Sequence, residues 1–338
     1  MIVTGDAAAS PVTNRVKVAA ESRALTKNNR YKIVSLAAAI LTALLAVPAD
    51  SATLKANRVD VEYVPPKSSA HDVLYKLVRE RRVLEKIRDL LVPFRLPRRL
   101  LLKTEGCDGE INAWYDDGAI TVCYEYLDWV WQSAPEQTTP AGVAPIDALR
   151  GPVVQIILHE AGHAVFDLLN IPIFGREEDD ADQFSAYIML QMGKDETHRM
   201  IRAAMLQKGK EETHRLIGGA AYQYGSGVQS ENQNVATKRF ADVHSTFAER
   251  YFNLLCLAYG ADAELFKDVV ANGYLPKERA DGCDDEYGHV AHAFNTLVGP
   301  YIDRDLAANF HEGWLPPITS RPPRRSDRPA GLNTKPPN

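Results

Sequence analysis

Apolar positions along the chain follow two periods, and each period predicts its own kind of element. Val73, Leu74, Leu77, Val78, Leu84, Ile87 and Leu91 recur at helical spacing until Pro93, behind a Ser69–Asp72 segment that reads as a capping box. Arg99–Thr104, Glu110–Tyr115 and Ala119–Tyr124 read as strands, and the Asp-Asp-Gly between the last two predicts a hairpin. From Val153 to Leu169 apolar residues occupy nearly every side, as in a buried helix. Pro152 suits the first position of that helix, and Pro172 with Gly175 ends it. Phe184, Ile188 and Met192 give the next helix an apolar face. Phe240, Val243, Phe247, Tyr251, Leu254, Leu255 and Ala258 predict another over Lys238–Tyr259, and Ala261–Pro300 supplies more helix. Residues 132–150 read as a loop, and Tyr222–Asn234 as a loop or flexible lid.

The ends of the chain follow neither period. Lys27, Arg30 and Lys32 precede the apolar run Ile33–Val47, which suits the apolar region of a signal peptide and is short for a membrane span. Val47 and Ala49 obey the small-residue rule, so residues 1–49 read as a leader with a signal peptide at about residues 26–49, cleaved after Ala49. The competing expectation is an uncleaved N-terminal anchor, the one route by which this chain would meet a membrane. The stretch before the apolar run is long for a leader, so translation is expected to begin downstream at a non-Met start, the next Met being Met189. After Leu315 the Pro-rich, basic tail has no apolar pattern, so residues 315–338 are expected to be disordered. The domain that remains is residues 50–310.

Inside the buried helix, His159, Glu160 and His163 spell H-E-x-x-H. Helical residues four apart share a face about 6 Å apart, so two imidazoles can grip one zinc ion. Glu160, rotated about 100° from His159, stands beside such a metal and can act on its water. The metzincin continuation is excluded, because Phe166 and Leu169 stand where it requires Gly and His. The next helix offers acids instead. Glu178 and Asp182 share a face, so Glu178 is the expected third ligand and Asp182 the partner of a ligating histidine's free N–H. Glu177 and Asp179 are rival ligands, but neither has an acid four residues later.

H-E-x-x-H followed by E-x-x-x-D on a second helix resembles the gluzincin class of zinc metallopeptidases. More closely, HEAGHAVFDLLNIPIFGREEDDADQ resembles a bacterial family of exported, largely uncharacterised metallopeptidases, over about Val61 to Ile302. The resemblance implies zinc at His159, His163 and Glu178 with Glu160 as general base, and it brings no known substrate. Asn112-Ala113-Trp114-Tyr115 resembles the edge strand on which thermolysin-like peptidases pair a substrate backbone, although an ordinary core hairpin gives the same strand signals. Zincins also use a His or Tyr to stabilise the oxyanion. His244 is the candidate here, against the ordinary role of a helical His as a structural hydrogen-bonder. The expected fold is therefore α+β and helix-rich: a zincin-like metallopeptidase with a small antiparallel sheet and a buried H-E-x-x-H helix. The expected function is zinc-dependent hydrolysis of peptide or protein substrates in the periplasm or outside the cell. The alternative is a non-catalytic, zinc-stabilised envelope protein that binds peptides or partners.

Composition narrows this further. A hydrophobic fraction of 45% supports a real core, and a net charge of −5 argues against a nucleic-acid partner. No glycine-rich nucleotide loop occurs. The four cysteines, in an exported context, predict two disulfides, Cys107–Cys123 and Cys256–Cys283 in chain order. The first pairing carries a condition. A tight turn at Asp117-Gly118 places Asn112 opposite Cys123, so Gly106–Gly109 must fold back. Finally, Leu190–Met205 is echoed by Leu206–Ala221, a tandem duplication of a unit that the resembled family carries once. His198 and His214, which belong to it, are poor ligand candidates.

Overall fold

The computed structural model describes residues 58–192, 203–231 and 242–308. The expected leader, the cleavage site, the tail, most of the first repeat copy with His198, and Phe240 lie outside the described residues. The described residues belong to one compact unit within Thr53–Asn338.

Four short strands form the sheet: β1 (Val59–Tyr63), β2 (Leu100–Glu105), β3 (Ala113–Asp116) and β4 (Ala119–Cys123). Their order is β1-β2-β4-β3. β1 and β4 pair parallel to β2, and only the β3–β4 hairpin is antiparallel. The expected antiparallel sheet is therefore corrected to a mixed one. β1 gives the physical reason: it lies next to β2 only after two helices have carried the chain back, a crossover that forces parallel pairing. The hairpin turns where both Asp117 and Gly118 have positive φ, as a type I′ turn requires.

The helical pattern over Val73–Leu91 resolves into two helices, α1 (Asp72–Glu80) and α2 (Val83–Leu91). They break at Arg82, which is left-handed at φ 52°. The capping residue is Ser68, whose hydroxyl accepts from Ala70 N, rather than Ser69. α3 (Tyr124–Ser133) follows β4 directly and was not legible as a helix.

α4 (Asp147–Leu168) is the buried helix, and it starts earlier than expected. Pro152 lies inside it rather than at its first position, so the helix forgoes one backbone bond at its N-terminal end. α5 (Glu177–Gln191) opens with Glu177, Glu178, Asp179 and Asp180, acids that complement a helix N-terminus.

α6 (Ala203–Glu231) runs through Tyr222–Glu231, where a loop or lid was expected. Gly227, in the stretch expected to be a loop, and Gly219, just before it, both serve packing instead. A Cβ on Gly219 would lie 1.9 Å from the Asp147 carbonyl oxygen, and one on Gly227 would meet the Phe247 ring at 2.5 Å. The next helix, α7 (Phe247–Ala261), begins later than expected, behind Thr246, which forms a capping box with Glu249. Val243 and His244 thus lie before the helix instead of within it. α8 (Cys283–Leu297) completes the helical layer. Among the described residues, no helix is long and apolar enough to cross a membrane.

Both disulfides pair in chain order. Cys107–Cys123 has Cα atoms 5.5 Å apart and Cys256–Cys283 5.0 Å apart. The chain around Gly106–Gly109 does fold back, with Asp108 and Gly109 at positive φ, and the Glu125 carboxylate accepts from Cys107 N and Gly109 N.

Candidate active site

The site lies where α4 and α5 come closest, and a glycine sets the spacing. Gly162, inside the H-E-x-x-H run, faces Ala181, whose Cα would be only 3.1 Å from a Cβ added to Gly162. Two small residues let the helix backbones approach, so the acids of α5 reach the histidines of α4. His159 Nε2 lies 3.1 Å from Glu178 Oε2 and 3.3 Å from His163 Nε2, and His163 Nε2 lies 3.5 Å from Glu178 Oε2. Tetrahedral zinc at about 2.0–2.1 Å from each ligand requires ligand–ligand edges of about 3.3 Å. The triangle fits that ion. Among the described residues, the other cluster of metal-type ligands is Cys107, Cys123 and Glu125, whose sulfurs are spent on each other.

Each histidine has an acid behind it. His159 Nδ1–H donates to Asp182 Oδ1 at 2.8 Å, and His163 Nδ1–H to Glu177 Oε1 at 2.8 Å. Both acid bonds leave the Nε2 atoms facing the centre. Glu177, a rival ligand on sequence grounds, thus backs a histidine. Asp179, the other rival, accepts from Ser245 Oγ.

Asp182 is held in turn. Arg250 of α7 grips it with two bonds, Nε to Oδ2 and Nη2 to Oδ1, each 2.6 Å. Gln155 Nε2 and Tyr224 OH approach its Oδ1 at 3.3 and 3.4 Å, and the Arg250 guanidinium lies 4.8 Å from the Tyr224 ring centre. Burial would raise the Asp182 pKa, but Arg250 and His159 outweigh burial and hold it well below the usual carboxylate range. Burial likewise opposes ionisation of Glu178, yet the bonds to His159, His163 and His244 keep it far below its ordinary value. For His159, burial pushes down and the bonds to Asp182 and Glu178 push up, with a net rise to about 9. A metal entering the site would therefore displace a proton from His159.

Glu160 is 6% exposed, and burial raises its pKa against the partial opposition of His159 and His163. The Tyr115 backbone also works against that rise, which sets β3 beside the site. β3 is an edge strand. Cys123 N donates to Asn112 O at 3.1 Å, which fixes the parity of the hairpin and turns the backbone groups of Ala113 and Tyr115 away from β4. The Asn112 side chain takes the Ala113 N–H at 2.9 Å.

His244 reaches the centre from irregular backbone before α7. Its Nε2 is 3.0 Å from Glu178 Oε2, while Asp242 Oδ1 lies 3.2 Å from its Nδ1. It does not join the compact group of ligand atoms formed by His159, His163 and Glu178. The structure thus brings together His159, Glu160, His163, Glu178, Asp182 and His244, with the Asn112–Ala113 strand beside them. Sequence reasoning missed Gln155, Tyr224 and Arg250. One signal existed: Arg250 falls between Phe247 and Leu254 on an apolar stripe, where a charge needs a buried partner. His289 and His292 are exposed on α8, and His214 pairs with Asp268 at 3.1 Å.

A family model described as "Putative metallopeptidase" matches residues 63–298, more than half of the chain. No curated protein and no solved structure matches it.

Proposed function

The chain belongs to this metallopeptidase family, and from that premise we propose that it is a zinc-dependent peptidase of gluzincin type and zincin-like fold. The observation that carries the reading is the triangle of His159 Nε2, His163 Nε2 and Glu178 Oε2, with edges of 3.1 to 3.5 Å. These three residues would hold the metal. Bound there, zinc would polarise the scissile carbonyl and acidify the attacking water.

The remaining work falls to the chain. Glu160, buried beside the imidazoles, takes the proton of the attacking water and returns it to the leaving amine. His244 donates from Nε2 to the oxyanion as charge develops there. Asp182 holds His159 in the tautomer that leaves Nε2 free. The outward Ala113 carbonyl of β3 pairs with an extended substrate, and the Ala113 N–H does so once the Asn112 side chain releases it. Substrates are therefore peptides or unfolded proteins. A periplasmic or secreted location is supported by the Ile33–Val47 apolar run and by the two disulfides.

The test is zinc per chain and hydrolysis of an unfolded protein, wild type beside Glu160→Gln. The variant is expected to keep about one zinc and to lose turnover by about 10²–10⁴-fold. Hydrolysis that persists in the variant, or a folded wild type that binds no zinc, ends the assignment.

A further inference from the structure

His244 carries a task that needs accurate placement, yet it sits on irregular backbone and its side chain is about half exposed. Its own neighbours hold it only locally, through Asp242 Oδ1, which accepts from His244 N at 2.9 Å. Among the described residues, the start of α5 supplies bonds that fix the segment in space. Arg176 Nη2 donates to the carbonyls of Asp242 at 2.8 Å and Val243 at 2.7 Å, and Nη1 approaches Ser245 Oγ at 3.4 Å. Ser245 Oγ then donates to Asp179 Oδ1 at 2.5 Å, and Asp179 Oδ2 lies 3.9 Å from Arg176 Nε. The segment on both sides of His244 is thus clasped by residues two before and one after Glu178.

Arg176 is also a poor choice for the position it occupies. It is the N-cap of α5, makes no capping bond there, and sets a cation at the positive end of the helix dipole. Ser, Thr, Asp or Asn would serve that role better. A residue that breaks a local rule and spends its fork on another segment is there for that segment. A guanidinium can hold two adjacent carbonyls at once in a fixed plane, which a lysine ammonium cannot.

We propose that Arg176 is a positioning residue: with Asp179 it clasps Asp242–Ser245 and sets His244 over Glu178, so that the metal ligand and the oxyanion donor are registered from one helix end. This rests on the proposed function for its catalytic meaning, but the clasp itself is measurable without turnover.

The experiment is a double-mutant cycle in the zinc-loaded full chain with a fluorogenic peptide, comparing wild type, Arg176→Ala, His244→Ala and the double variant. Arg176→Ala is expected to keep its zinc and lower kcat by about tenfold, with KM changed less than about twofold. The double variant should be no slower than His244→Ala alone, because both changes remove one placement. Arg176→Lys should recover only part of the loss. Additive losses, or an unchanged kcat in Arg176→Ala beside a slow His244→Ala, overturn the proposal. If the wild type proves inactive, backbone hydrogen exchange decides. The His244 amide in zinc-loaded Arg176→Ala should exchange about tenfold faster than in wild type, a rate that reports local opening. Unchanged exchange refutes the clasp, whereas faster exchange in an inactive protein upholds it and leaves only the peptidase reading to fall.

Discussion

The two sides of the site are built in opposite ways. On one side, α4 and α5 pack at Gly162 and Ala181, and the buried His159 with the partly buried Glu178 and Asp182 forms a net closed by Arg250. On the other, the His244 segment is irregular, exposed, and fastened by a few bonds from Arg176 and Asp179. Metal binding demands ligand atoms fixed to a fraction of an ångström, and buried helices supply that. On the proposed function, stabilising a transient charge needs a donor that can approach and withdraw, and a tethered segment suits that role. The holding and the acting functions are therefore expected to fail separately.

The largest effect should come from the buried side. Arg250→Met leaves the largely enclosed Asp182 carboxylate without its main partner, a loss of stability at or below the low end of the roughly 3–5 kcal/mol seen for broken buried pairs. Through Asp182 and His159 it should also weaken zinc by about 10–100-fold. Thermal melting and a competitive zinc titration read the two losses. A variant that melts and binds like wild type would mean that the net is not a net.

His244→Ala should have an intermediate effect confined to chemistry. Zinc content and melting temperature are expected to stay as in wild type, while kcat falls by about 10²-fold or more. Loss of zinc from this variant would erase the contrast between the two sides and make His244 a ligand.

The smallest effect should come from removing the duplicated unit. Only the second copy offers Gly219 against the Asp147 carbonyl, since its counterpart in the first copy is Ala203. Among the described residues, the second copy also contributes contacts that dock α6: Lys210 with Asp262 and Arg215 with Asp147. Deleting residues 192–207 is therefore expected to shift the melting temperature by only a few degrees and to leave zinc binding intact. A deletion variant that fails to fold would assign the first copy a structural part.

How much of this was legible follows from distance along the chain. His159, Glu160 and His163 lie on one helical turn, and Glu178 with Asp182 on another, so the period of the helix alone grouped them. The hairpin declared itself through Asp117-Gly118. The Thr246–Glu249 capping box is also present in the sequence and marks a start of α7 past His244, a signal that the apolar period over Phe240–Ala258 obscures. The glycines of Tyr222–Glu231 read as a loop because glycine weakens a helix. The neighbour that makes a missing Cβ necessary at Gly227, the Phe247 ring, cannot be seen from a segment read alone.

The sequence by itself determined the chemistry: two imidazoles, a dry glutamate and a following acid, because a helix turns local spacing into a shared face. It also determined the helix-rich class and one strand pair. Only the tertiary structure decided what holds those groups still. Arg250 meets Asp182 across 68 residues, and Arg176 meets Val243 across 67. No local period encodes such pairs. The mixed sheet has the same origin, since parallel pairing of β1 with β2 depends on how the chain returns rather than on either strand. Local rules set which atoms can react; burial and long-range contact set where those atoms stand.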